Sequence, residues 1–315
     1  MSKKSNMLIC ISSEFITNVI EDFRASAQSL SNFVNIFKII FIEYIIFIFQ
    51  WFQVSYIVAI GIVDKLSGFC HSVRDPIDNK PDIAEFLLSS FQFLSSITGL
   101  VEVLSIQDQD PTHLWKAYEV TDLVGTIEML YGMLLHQGTP SRSGNALPPK
   151  LPNLTLKVAS EVTKLLHRII RQHLNMVQDV LSQEGISLEF RHIISYLLWY
   201  CQAHEETEVM HEAIILVGYF AAKHVDNQIM VQSGHQPSVL QQLCNLPFPY
   251  FSQTNLKEIL FPTLLACCHD NKENMVILSQ EMSWTLIDEY LKTADGQKNP
   301  LVQLVLSTPN GIGKK

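Results

Sequence analysis

Charge is scarce in this chain, and the short signatures that mark common enzymes are missing. Only 17% of its 315 residues are Asp, Glu, Lys or Arg, against 47% hydrophobic, which is enough to bury a sizeable core. The formal charge of −9 argues against wholesale nucleic-acid binding and leaves room for a local basic face at most. Strand signals are sparse. No strict apolar alternation is bounded by hairpin turns such as Asn-Gly between apolar runs, so the chain reads as all-α. It has no G-x-S-x-G elbow, no cysteine in a recognisable catalytic setting and no glycine-rich phosphate loop. Gly311, Gly313, Lys314 and Lys315 read as a flexible tail. The expectation is no catalytic residue, no cofactor and no enzyme.

The six cysteines, Cys10, Cys70, Cys201, Cys244, Cys267 and Cys268, form no C-x-x-C pair, and several sit among leucines and isoleucines. Reduced, buried thiols acting as small hydrophobes are expected. Met1 to Lys4 is slightly basic, but no compact apolar segment with a small-residue cleavage site follows, so the reading is a cytosol-facing protein. No metal site is expected either. His204, Glu208 and His211 would share a face only if one helix carried all three, and their order is not that of H-E-x-x-H. Cys267, Cys268, His269 and Asp270 are consecutive. Neighbours on a helix point about 100° apart and cannot converge on one ion.

What is present is an echo. Asp226 and Asn227 open a short apolar run that breaks at Gly234, and Glu273 and Asn274 open a similar run 47 residues later. Each run is followed by a helix with leucines at turn spacing. A helical period of roughly 40–47 residues marks a HEAT or armadillo stack. The spacing predicts a first unit with a helix over 208–224, a second capped by Asp226 over 227–233, and a third started by Pro237. In the second unit the helices are expected over 255–268, through Pro262, then over 271–280 and 283–291. Leu216, Phe220, Leu240, Leu243, Leu260, Leu264, Ile277 and Leu286 should form the shared core. A fainter copy starts at Asn175.

Two stretches break the pattern. Residues 137–153 carry four prolines and two glycines and read as a mobile linker. The divisions are an atypical segment over 1–53, a helical half over 54–136, that linker, an armadillo-like half over 154–292 and a tail over 293–315. Within the first, Ile36 to Phe49 is almost wholly Ile, Phe, Lys and Tyr, and Tyr44 to Val63 is 20 residues without charge. Three readings stay open: a membrane span at minimum length, a helix buried inside the stack, or translated non-coding sequence. The residue types, drawn largely from A/T-rich codons, favour the last. A membrane span is the least favoured.

The run from His211 to Ser252, HEAIILVGYFAAKHVDNQIMVQSGHQPSVLQQLCNLPFPYFS, resembles the C-terminal helical region of the family of S phase cyclin A-associated proteins in the endoplasmic reticulum. Val54 to Ser90, Asp110 to Trp115, Thr121 to His136 and Glu184 to Leu198 resemble the same family, so the likeness covers about Val54 to Tyr290. The family's cyclin-docking region, coiled coils and Cys2His2 zinc finger have no counterpart here. The resemblance implies a cytoplasmic adaptor at the endoplasmic reticulum, linked to cyclin A complexes and cell-cycle control. It also implies ribosome-associated factors and the deadenylase machinery, in the decay of tubulin messenger RNA. Its rivals are a hydrolase with a scattered active site and a membrane-anchored helical protein.

One surface is specific enough to name. Lys157, Lys164, Arg168 and Arg171 fall within about 60° on a helix, opposite Val158, Val162, Leu165, Leu166, Ile169 and Ile170. A basic stripe in an acidic protein suits ribosomal RNA or an acidic partner. Glu161 lies within it, as on an ordinary solvated helix face.

Overall fold

The computed structural model of the chain describes residues 50–77, 79–104, 110, 112–119, 123–135 and 147–307. Among the described residues there are helices and no strand. In chain order they are α1 (Gln50–Ala59), α2 (Ile62–Ser72), α3 (Pro81–Leu104), α4 (Leu114–Ala117), α5 (Leu123–Leu135), α6 (Asn153–Gln172), α7 (Leu174–Leu181), α8 (Ile186–His204) and α9 (Thr207–Ala221). There follow α10 (Val225–Gln232), α11 (Val239–Cys244), α12 (Pro249–Ser252), α13 (Thr254–Cys268), α14 (Lys272–Glu281), α15 (Thr285–Lys292), α16 (Ala294–Lys298) and α17 (Pro300–Leu306). Contacts divide the chain into a unit of Met1–Ile60 with Gly99–Leu114 and a larger one of Gly61–Thr98 with Trp115–Lys315.

In the smaller unit, α1 buries Val54 and exposes Phe52 and Tyr56. The segment Ile36 to Phe49, on which the three readings turned, lies outside the described residues. The described part of the uncharged run is not one continuous helix. It breaks after Ala59, and Gly61 takes a left-handed conformation (φ 69°) that suits a residue without a Cβ. Among the described residues α3 is the one single helix long and apolar enough to cross a membrane, with 44% of its apolar window buried inside the protein, and α1 and α2 reach that length only if taken together as one bent span.

The larger unit is ordered by its long helices. α9 packs between α6 and α13, α13 packs on α17, and α5 packs between α2 and α8. Each of α6, α9 and α13 is followed by a short helix (α7, α10, α14) and then by a further helix, which is long in α8 (19 residues) and short in α11 and α15. The echo has a backbone basis. Lys223 and Asp270, 47 residues apart, both hold a left-handed conformation (φ 54° and 59°) at the turn out of the long helix. Asn227 and Asn274, equally spaced, are buried and donate from Nδ2 to the carbonyls of Phe220 (2.9 Å) and Cys267 (2.7 Å), seven residues back. Each closes the frayed end of its long helix, whose last carbonyls have no partner within the helix.

The short helices also tie each unit to the next. Gln178 on α7 donates to the carbonyls of Tyr219 (2.8 Å), Phe220 (3.1 Å) and Ala222 (2.9 Å) at the end of α9. Gln228 on α10 does the same for Ala266 (2.9 Å) and His269 (3.0 Å) at the end of α13. The two glutamines are therefore counterparts, and Val177 stands where Asn227 stands. The third copy does not begin at Asn175, which is exposed; its register lies two residues further on. Gln228→Leu takes the partner from the buried Ala266 carbonyl and the half-buried His269 carbonyl and should destabilise the chain by about 2 kcal/mol, read from the shift of a urea unfolding midpoint. No shift would mean that the tie carries no energy.

Four local expectations need correction. Asp226 does not cap α10; the cap is His224, whose Nδ1 accepts the Asn227 N–H at 3.3 Å. Pro237 does not start α11, because Ser238 caps it in a capping box with Gln241 (2.9 and 3.3 Å). Ile277 and Leu286 are only half-buried, and Leu278 and Ile287 take the core positions. In α14 the buried Asn274 sets the inward face, and one turn on from it is Leu278.

Candidate interaction surface

The buried side of α6 is as the sequence indicates. Val158, Val162, Leu165, Leu166, Ile169 and Ile170 are all core residues, so the four basic side chains occupy the outer side. Lys157, Arg168 and Arg171 are exposed and Lys164 is half-buried. Packing of α9 beside α6 brings acidic groups to this stripe. Lys164 Nζ lies 3.0 Å from Glu208 and 3.4 Å from Glu161. Burial opposes its charge, but the bond to Glu208 and the two carboxylates outweigh that and leave its pKa above the ordinary lysine value. His167 Nδ1 meets Glu212 at 2.5 Å, and Arg168 donates to the Ser95 carbonyl at 2.6 Å. Arg171 hydrogen-bonds the Tyr219 phenol; burial pushes that phenol up, and the guanidinium pulls it partly back.

The stripe is thus partly committed to its own neighbours. Lys164→Glu would set three carboxylates together and should cost about 1 kcal/mol more than Lys157→Glu. Equal melting temperatures for the two variants would contradict the pairing.

The histidine and cysteine groupings do not assemble. His204 ends α8, Glu205 turns left-handed (φ 60°), and Glu208 and His211 belong to α9, so the three never share a helix face. His204 instead bonds the Pro148 carbonyl (2.9 Å) and His211 the Tyr250 hydroxyl (2.9 Å). Among the described residues no three His, Cys, Asp or Glu side chains are grouped to hold a metal ion. Cys70, Cys201, Cys244, Cys267 and Cys268 are all buried. Burial pushes the Cys201, Cys244 and Cys268 thiols up to about 12, so the reactive thiolate is suppressed at neutral pH. A pocket among α8 to α11 is lined by Phe190, Ile194, Val217, Phe220, Val231 and Arg191, and offers no acid–base pair.

Two groupings were missed in the sequence because they join distant segments. In one, His71 and Arg74 meet Glu128 at 2.8 and 2.5 Å. Glu189 stands in their field, and burial followed by the Glu128 charge raises its carboxyl above the usual value. In the other, the chain from Leu147 to Pro152 lies against an aromatic row on α8.

Titration of the chain should show acid sensitivity. Burial lowers the pKa of His192, aided by Arg191, and burial lowers that of His211 against a weaker pull from Glu212. A histidine with a depressed folded pKa binds more protons when unfolded. Its contribution is therefore intact above the unfolded value near 6.5 and is lost as pH falls below it, through the folded value. Glu189 has the opposite sign, and its strain is relieved as pH falls through its raised value toward about 4.3. Unfolding midpoints should decline from pH 7.5 to 5.5; a flat profile would contradict this.

No protein-family model matches the chain. Over 248 residues, 76% of its length, it is 40% identical to the human S phase cyclin A-associated protein in the endoplasmic reticulum. The chain is a homologue of that protein. The match spans 18% of the human protein's length, so it concerns one part of a much longer molecule.

Proposed function

We propose that the chain is a non-catalytic interaction scaffold built as an armadillo-like stack. The observation that carries this reading is the repeated tie from each short helix to the next long one, Gln178 to α9 and Gln228 to α13, at matching positions of successive units. Units joined in this way extend a surface and enclose little. The human relative is named for cyclin A association and for the endoplasmic reticulum. Accordingly we assign this chain to protein assemblies of cell-cycle control on the cytosolic side of that membrane. The resemblance to its family extends the proposal to ribosome-associated factors and the deadenylase machinery that act on tubulin messenger RNA.

The contact face in this proposal is the outer side of α6, with Lys157, Lys164, Arg168 and Arg171 meeting an acidic partner or ribosomal RNA. Its exposure and its place in an acidic protein support that. Full chain and a Lys157→Glu/Arg171→Glu variant should be compared for co-sedimentation with ribosomes and for co-purification with cyclin A complexes. The expected result is weaker, less salt-sensitive recovery of the variant. Unchanged recovery with a folded variant would remove this face from the proposal.

A further inference from the structure

The segment Leu147–Pro152 reads Leu-Pro-Pro-Lys-Leu-Pro and is neither helix nor strand. Pro152, at φ −59° and ψ 147°, has polyproline II geometry. Pro148 is buried and Leu151 half-buried, whereas Leu147, Pro149, Lys150 and Pro152 are exposed. Inward positions three residues apart are those of a polyproline II helix, which has three residues per turn. The segment faces α8. There Tyr196, Trp199, Tyr200 and His204, at helical spacings of three, four and eight from the first, form an aromatic row. Ring centroids are 6.0 Å apart for Tyr196 and Tyr200, stacked at 25°, and 4.5 Å for Tyr200 and His204. Trp199 stands edge-on to Tyr196 at 6.2 Å.

Two hydrogen bonds join the row to the segment's main chain. The His204 Nε2–H donates to the Pro148 carbonyl at 2.9 Å, and the Tyr200 hydroxyl accepts the Leu151 N–H at 3.1 Å. A third polar group is unspent: among the described residues the Tyr196 hydroxyl is buried without a hydrogen-bond partner, on a residue only 5% exposed. Buried hydroxyls are nearly always paired, so an orphan in this row is a spare contact for a ligand. An aromatic row that holds a proline ring and bonds backbone groups is how proline-rich peptides are commonly recognised, at low entropic cost because the ligand is already extended.

We propose that this face of α8 is a binding site for proline-rich peptides of the pattern Pro-x-x-apolar-Pro, kept closed by the chain's own Leu147–Pro152. The side chains of Leu147, Pro149 and Lys150 are exposed, so another chain of the same pattern fits the same bonds. The tether gives the internal segment an effective concentration on the order of millimolar, so an outside ligand must exceed that advantage. Pro152 is pinned at the start of α6, so release proceeds by lifting the segment from its Leu147 end. This inference does not rest on the scaffold reading, and neither the ribosome nor cyclin A enters its test.

The probe is a fluorescein-labelled peptide of residues 146–153, Ala-Leu-Pro-Pro-Lys-Leu-Pro-Asn. Full chain carrying Pro148→Ala with Leu151→Ala should bind it at least about tenfold more tightly than the unaltered chain does. Adding Tyr200→Phe, which keeps the ring and removes the acceptor, should reverse most of that gain. A second measurement avoids dependence on the double variant. Trypsin cleavage after the exposed Lys150 of the unaltered chain should accelerate about fivefold when a peptide with glutamine at the lysine position saturates the site. Absence of saturable binding to the folded double variant, or unchanged cleavage at saturating peptide, would overturn the proposal.

Discussion

Gly218→Val should lower the stability of the chain by about 3 kcal/mol, at the upper end of what overpacking costs. Gly218 lies on α9 where α13 crosses it. A Cβ there would stand 2.5 Å from Leu301 Cδ2, 2.6 Å from Thr263 Oγ1 and 3.1 Å from Thr263 Cα. The leucine can swing aside. The threonine cannot, because its hydroxyl donates to the Ile214 carbonyl at 2.9 Å and its backbone belongs to α13. The β-branched side chain must therefore push two stacked helices apart. A urea midpoint that falls at unchanged slope is the expected reading. A loss below about 1 kcal/mol would mean that the α9–α13 contact is looser than described.

Leu243→Ala is the second large effect, at roughly 2–5 kcal/mol. Leu243 is fully buried on α11, a helix of six residues held at its start by the Ser238–Gln241 box. α11 packs against α8, α10, α13 and α14, so a cavity at Leu243 cannot be closed by moving one neighbour. If α11 were peripheral, the neighbours would collapse around the smaller side chain and the loss would stay near the lower bound or beneath it. Melting of the variant by circular dichroism decides between these outcomes.

The parts of the structure that follow from short-range chemistry were readable in the sequence. Helix order, the break at Gly234 (φ 99°) and the burial of Leu216, Phe220, Leu240, Leu243, Leu260 and Leu264 follow from periodicity and from glycine's freedom at a helix end. The failures share a cause. Leu278 and Ile287 displace Ile277 and Leu286 because polar anchors set the helix phase, and apolar residues adjacent in sequence are interchangeable to a periodicity argument. Asp226 loses its cap role to a histidine, a residue outside the usual capping set. His204, Glu208 and His211 separate because Glu205 takes a left-handed conformation that favours glycine or asparagine and that its own identity does not announce.

The site was less readable than the fold. The four basic residues of α6 do share an outer face, as their spacing requires. The pairing of Lys164 with Glu208 and the hydrogen bond of Arg168 to the Ser95 carbonyl depend on which helices pack beside α6, and no local pattern carries that. The proline-rich stretch reads as a mobile linker on composition alone. Its last part is instead seated on α8, because Tyr200 and His204, some 50 residues away, supply partners for its backbone.

Scaffold function is the central claim, and quantitative co-purification of the full chain tests it most directly, with Gly218→Val as the paired control. The folded chain should recover a reproducible set of macromolecular partners, cyclin A complexes among them, and Gly218→Val should lose that set at a urea concentration that unfolds it but leaves the unaltered chain folded. Recovery of the chain alone, or of the same proteins with Gly218→Val so unfolded, would contradict it.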